Sequence, residues 1–146
     1  MRNHLLIGLA FAIMVAYFDT HDSGMIKIIA VSNAAELAYA PQINDEREIK
    51  VTVTPRDLVQ SAGTWDFEVV LETHTKTLPD DLANTSVLIA DGKPYAPLSW
   101  KFLAQGGHHR KGTLRFNVIS PQPSSVELHI HLAADPAPRS FKWLLK

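Results

Sequence analysis

The chain has 146 residues, of which 46% are apolar and 20% charged, and its net charge is -1 with histidine neutral. This is a globular composition, long enough for one domain with an appendage. The absence of cysteine excludes a disulfide scaffold, a thiolate metal site, a cysteine nucleophile and a lipid-modified N-terminal Cys, and the near-zero charge argues against a general nucleic-acid binder.

Residues 1–18 read as a signal peptide or membrane anchor. Arg2 and the amino terminus precede an apolar run from Leu5 to Phe18, and Asp19 and Asp22 follow it. Positive before and acidic after is the bias of a segment whose N-terminus stays in the cytoplasm. The run is shorter than the about 20 residues of a membrane-crossing helix and suits a signal-peptide core. Ala38-Tyr39-Ala40 has the small-x-small form of a cleavage site but lies far downstream, and Met14-Val15-Ala16 is nearer but has a large Met. Three outcomes stay open: export with cleavage, an uncleaved anchor reaching the membrane through residues 5–18, and a buried N-terminal helix.

Residues 19–44 read as a linker of unspecified structure. Within it, Met25–Val31 is β-branched and apolar, and Ala34–Ala40 favours helix. All nine prolines lie from Pro41 onward, so the composition breaks near residues 41–45. Residues 45–146 then form the main domain.

Apolar and polar residues alternate repeatedly through that domain, the pattern of strands with one buried face. The first is Ile49, Val51 and Val53; the second is Trp65, Phe67, Val69 and Leu71, with Val70 interrupting the polar side. Val87–Ala90 is a continuous apolar run closed by Asp91-Gly92, a strong hairpin-turn pair. Leu98, Trp100 and Phe102 follow, then Leu114, Phe116 and Val118, then Val126, Leu128, Ile130 and Leu132, and finally Phe141 and Trp143. Leu78–Thr85 has room for one helical turn, with Asp80-Asp81 at its start. About seven short strands predict an all-β, immunoglobulin-like β-sandwich, with a small barrel as the alternative. Trp65, Trp100 and Trp143 are expected in the core.

Chemistry in this chain rests on its seven histidines. His74 ends the second strand pattern, and His108 and His109 sit in Gly106-Gly107-His108-His109-Arg110-Lys111-Gly112. If the two strand ends share a rim, His74, His108 and His109 can approach one another as ligands for zinc or copper(II). Arg110 and Lys111 are candidates for contact with an anion or partner. His129 and His131 form a second, weaker pair, on one face of a strand with Glu127. Copper(I) lacks soft ligands here, with no Cys and Met25 the only methionine past the first segment. No G-x-S-x-G, H-E-x-x-H, P-loop or G-x-G-x-x-G occurs, so the expectation is a protein without enzymatic activity.

Trp65–His74, and Pro97–Trp100 followed by Gly106–Gly112, resemble segments of small exported bacterial and archaeal proteins. The resemblance spans about Val51 to Trp143 and implies a signal or anchor followed by one β domain, with no assigned activity. Glu72 and Thr75 stand here where those proteins suggest Asp and Ser, and the long 19–40 segment is unlike their short join. The sequence therefore predicts an exported or membrane-anchored β module, periplasmic, secreted or facing outward, that binds a protein partner in the cell envelope. A histidine-based metal-binding protein is the alternative, and an accessory subunit of a membrane complex a weaker one. The interaction reading predicts an exposed sheet edge or apolar patch.

Overall fold

The computed structural model describes residues 39–145. The proposed signal or anchor and most of the linker, including Leu5–Phe18 and Met25–Val31, lie outside the described residues. Nine strands form two antiparallel sheets: β1 (Gln42–Glu46), β2 (Ile49–Arg56), β3 (Thr64–Thr73), β4 (Ser86–Ala90), β5 (Lys93–Tyr95), β6 (Ser99–Gln105), β7 (His109–Asn117), β8 (Ser125–Ile130) and β9 (Arg139–Leu144). The first sheet has the order β1-β2-β3-β7-β6 and the second the order β5-β4-β8-β9. The only helical piece among the described residues is a 3₁₀ turn at Ala83–Thr85. Asp81 holds it by accepting a hydrogen bond from the Ala83 amide at 2.7 Å.

The alternation seen in the sequence becomes a two-layer core. Val51, Val53, Trp65, Phe67, Val69 and Leu71 are fully buried on the first sheet, and Leu88, Val126, Leu128 and Ile130 on the second. Phe67 meets Trp143 across the layers at 5.7 Å between ring centroids, and meets Phe116 edge-on at 5.6 Å. Both sheets therefore bury one face against the other, a sandwich-like packing.

Seven of the nine strands are those the alternation predicts; β1 and β5 are additional. Both are edge strands, so neither repeats the buried period-2 signal. β5 has three residues and carries Pro94, which an edge tolerates. β1 begins at Gln42, within the stretch the sequence assigns to the linker.

Of the three tryptophans, Trp65 and Trp143 are buried, whereas Trp100 is half-buried at the margin. Its indole lies over Gly112 of the neighbouring strand, where a Cβ would come within 2.5 Å of the ring. Leu98 and Phe102, predicted to share the inward face, are 53% and 38% exposed. β6 is the outermost strand of its sheet, so its side chains have a neighbour on one side only.

Two hairpin turns use the left-handed region. Asp91 (φ 46°) and Gly92 (φ 80°) form the predicted turn between β4 and β5. Arg47 (φ 49°) and Glu48 (φ 65°) do the same between β1 and β2 without a glycine, a conformation that other contacts must hold. The Arg139 side chain, 1% exposed, supplies them. It donates to the carbonyls of Glu46 (2.9 Å) and Ile49 (2.6 Å) and to Asn44 Oδ1 (3.0 Å). Asp135, equally buried, neutralises it through an Nε–Oδ2 contact of 2.7 Å. Thr73 adds a hydrogen bond of 2.7 Å to the Glu48 carbonyl.

Candidate functional site

The β3–β7 register decides where the histidines go. Glu72 pairs with His109, and the Thr73 amide donates to the His108 carbonyl at 3.0 Å, extending the ladder into the β6–β7 loop. His74, His108 and His109 consequently line one open groove of about 460 Å³, with Asp45, Glu48, Lys50, Glu72, Thr73 and Thr75. The two strand ends share one rim, the condition on which the approach of these histidines depends. The loop glycines Gly106 and Gly107 do not adopt positive φ. The turn is instead closed by the Gly106 amide bonding the His109 carbonyl at 2.7 Å.

Two of the groove's three carboxylates, Glu72 and Glu48, are already partnered. Glu72 bonds Lys50 Nζ at 2.6 Å and lies 3.8 Å from His109 Nδ1. The Lys50 hydrogen bond holds the Glu72 carboxyl below its ordinary range; partial burial opposes this, and the charges of Lys50, His109 and His74 add to it. Glu48 bonds Lys76 at 2.7 Å and accepts from Thr75 Oγ1 at 3.0 Å. Lys76 first, and Thr75 after it, hold that carboxyl low as well. Among the described residues, no group of three or more His, Asp or Glu side chains is placed to share a metal ion.

The other histidine pair makes two separate contacts. His129 Nε2 lies 2.9 Å from Glu127 Oε1, and His131 Nε2 lies 3.1 Å from the Asp135 carbonyl. Both line a shallower groove of about 290 Å³ with Asn84–Val87 and Pro138. As the alternation predicts, Glu127 and His129 face away from the core.

Arg110 and Lys111 point to opposite faces of β7. Lys111 reaches Glu68 at 3.2 Å on the outer face of the first sheet. The Arg110 side chain, 11% exposed, lies on the side of the core residues Leu114 and Phe116. Its Cζ is 5.8 Å from the Phe102 ring centroid, and Trp100 packs edge-on against the same ring at 5.7 Å. Arg110 Nη1 is 2.7 Å from Asp80 Oδ1, an ion-pair distance without hydrogen-bond alignment. Arg110 Nε and Trp100 Nε1 are buried and make no hydrogen bond, whereas Arg110 Nη1 is engaged by Asp80. Asp80 itself is 82% exposed.

This places an incompletely satisfied cluster beside β6, a feature that residue spacing did not single out. β6 is a seven-residue edge on which Phe102 and Leu103 are exposed, and Leu98 just precedes it. A bulge between Phe102 and Ala104 leaves Leu103 out of register. Lys101 is the one charged residue of β6, and it pairs with no carboxylate among the described residues. Lys101 and the bulge are β6's own protection, and the remaining edges carry others. The Gln42 side-chain amide bonds both the N–H and the carbonyl of Lys142 on β9. β5 is short and carries Pro94, and β1 carries Asp45 and Glu46. Short strands, proline and charge are the usual protections of a sheet edge.

Comparisons with protein-family models, with curated proteins and with solved structures return no match.

Proposed function

We propose that this chain is an exported or membrane-anchored, non-enzymatic binding module with an immunoglobulin-like sandwich, working outside the cytoplasm on a partner in the cell envelope. Strand order supports the finer fold assignment. Without β1, the orders β2-β3-β7-β6 and β5-β4-β8-β9 correspond to A-B-E-D and C′-C-F-G of an immunoglobulin domain. The inter-sheet disulfide and the Trp on the C-equivalent strand β4 are absent from this chain. The apolar segment at Leu5–Phe18 supports the location.

The observation carrying the binding assignment is the β6 edge: seven residues long, with Phe102 and Leu103 exposed and with Lys101 and one bulge as its protection. Exposed apolar surface on an unpaired strand favours association. A photo-crosslinking residue placed at Leu103, at Lys93 on β5 and at Ile43 on β1 tests it in intact cells. The expected result is one adduct of defined mass from position 103 alone. Equal labelling from all three positions, or none, would remove the assignment.

The second reading, a zinc or copper(II) protein, is favoured by the convergence of His74, His108 and His109 on one groove. Against it stand the carboxylates already committed to Lys50 and Lys76. Zinc titration of the full chain, with the His108→Ala/His109→Ala variant as control, separates the two: stoichiometric binding lost in the variant favours metal.

A further inference from the structure

The proposed binding role leaves the chemistry of the partner open, and the surroundings of β6 narrow it. Two cations lie near this edge, Lys101 on β6 itself and Arg110 on the adjoining strand β7. Lys101 lies on the outer face, where its cross-strand neighbour is Thr113. Arg110 lies on the inner face, against Phe102. The other cations of β7, Lys111 and Arg115, hold Glu68 and Asp66 on the outer face. The carboxylate facing Arg110 is Asp80, on the loop after β3, and it lies almost wholly in solvent without aligned hydrogen bonds. Buried N–H groups without acceptors cost free energy that an incoming oxygen recovers.

We infer that β6 receives an extended acidic segment of a partner protein as an added strand, with a carboxylate replacing Asp80 at Arg110 and another beside Lys101. This inference rests on the β6 binding assignment. Main-chain pairing supplies affinity in such strand addition, and side chains on alternating faces supply selectivity. Phe102, Leu103 and Leu98 give the apolar contact. Lys101 disfavours a second copy of this chain, since two β6 edges would bring like charge together with no acid on either strand. Lys101 is thus both a guard against self-pairing and a selector for an acidic strand.

The test uses the full, isotope-labelled chain in a zwitterionic detergent and a synthetic peptide, acetyl-TVEVTEVTV-amide, which carries glutamates on both strand faces. A counterpart has Lys in place of each Glu, and a third version has alternate backbone amides methylated. The acidic peptide is expected to shift the backbone amide signals of Leu98–Gln105 and to bind at least about tenfold tighter than the Lys peptide. The methylated version is expected to lose binding, and Lys101→Glu to reduce the preference for the acidic peptide. Lys101→Glu alters an exposed side chain, and unchanged signals outside β6 report that the variant is folded. Equal binding of acidic and basic peptides at β6 would overturn the charge assignment and leave the edge assignment standing. No shift on β6 from either peptide would overturn strand addition, whereas the crosslinking result at Leu103 stands or falls separately. Sedimentation showing a dimer abolished by Leu103→Pro would replace the acidic partner with a second copy.

Discussion

The two flanks of the sandwich are built on different terms. At the flank where β1 and β9 end their sheets, the layers are laced together. Arg139 of β9 bonds three groups of the β1–β2 hairpin, Gln42 of β1 pairs with the Lys142 main chain, and Trp143 donates to the Ala40 carbonyl at 2.9 Å. At the flank where β6 and β5 end theirs, no hydrogen bond joins the two edges among the described residues. Polar groups near that flank, Arg110 and Trp100, are left with buried donors unspent. Cross-layer hydrogen bonds are concentrated at one flank, and buried donors without acceptors at the other.

Removing the central lace has the largest expected effect. Arg139→Ala leaves the Asp135 carboxylate buried with its main partner gone and releases the left-handed Arg47-Glu48 turn. A loss of about 3–5 kcal/mol in a urea unfolding titration is expected. A loss below about 1 kcal/mol would mean that the flank is held by its apolar contacts instead.

Gln42→Ala tests the lacing more gently. It unpairs the Lys142 N–H and carbonyl at the β9 edge, and about 1 kcal/mol is expected. Faster hydrogen exchange at the Lys142 amide, with the β6 amides unchanged, would locate the effect at that flank.

The smallest effect lies between the flanks, on the outer face of the first sheet. Arg115 makes a two-pronged contact with Asp66 at 2.8 and 2.7 Å. That hydrogen-bonded pair holds the Asp66 carboxyl below its ordinary value of 3.8, against the opposing effect of partial burial. Because the folded pKa is depressed, the contribution is complete above the ordinary value and disappears as pH falls through the folded one. Asp66→Asn is expected to cost about 0.5–1 kcal/mol at neutral pH. The gap between variant and parent should narrow as pH falls below the ordinary value of 3.8 and close once it passes the lower, folded one. An unchanged gap there would show that the pair acts through packing and not through charge.

Much of this architecture is legible in the amino-acid order, and the reason is local. Val126, Leu128 and Ile130 must face one way and Glu127 and His129 the other, since successive side chains of a strand alternate. Asp91-Gly92 reads as a hairpin because its backbone needs positive φ at both residues. That His74, His108 and His109 line one groove was legible only as a possibility, because it depends on Glu72 pairing with His109 rather than with a neighbour two residues away. β1 left no trace, since an edge strand written Gln-Ile-Asn-Asp-Glu repeats no buried pattern. Arg139 was equally silent: an Asp and an Arg around two prolines resemble any solvated loop until β9 is laid beside β1.

Alternation, turn residues and composition thus specify an all-β chain, most of its strands and the faces they bury, because each depends on covalent geometry over a few residues. Strand order is another matter. Which strands become edges, which edge is laced and which stays open, and where a buried guanidinium finds its acceptors follow from pairings between distant segments, such as Arg139 with Ile49. Such pairings are chosen by the packing of the whole core, and no local pattern encodes them.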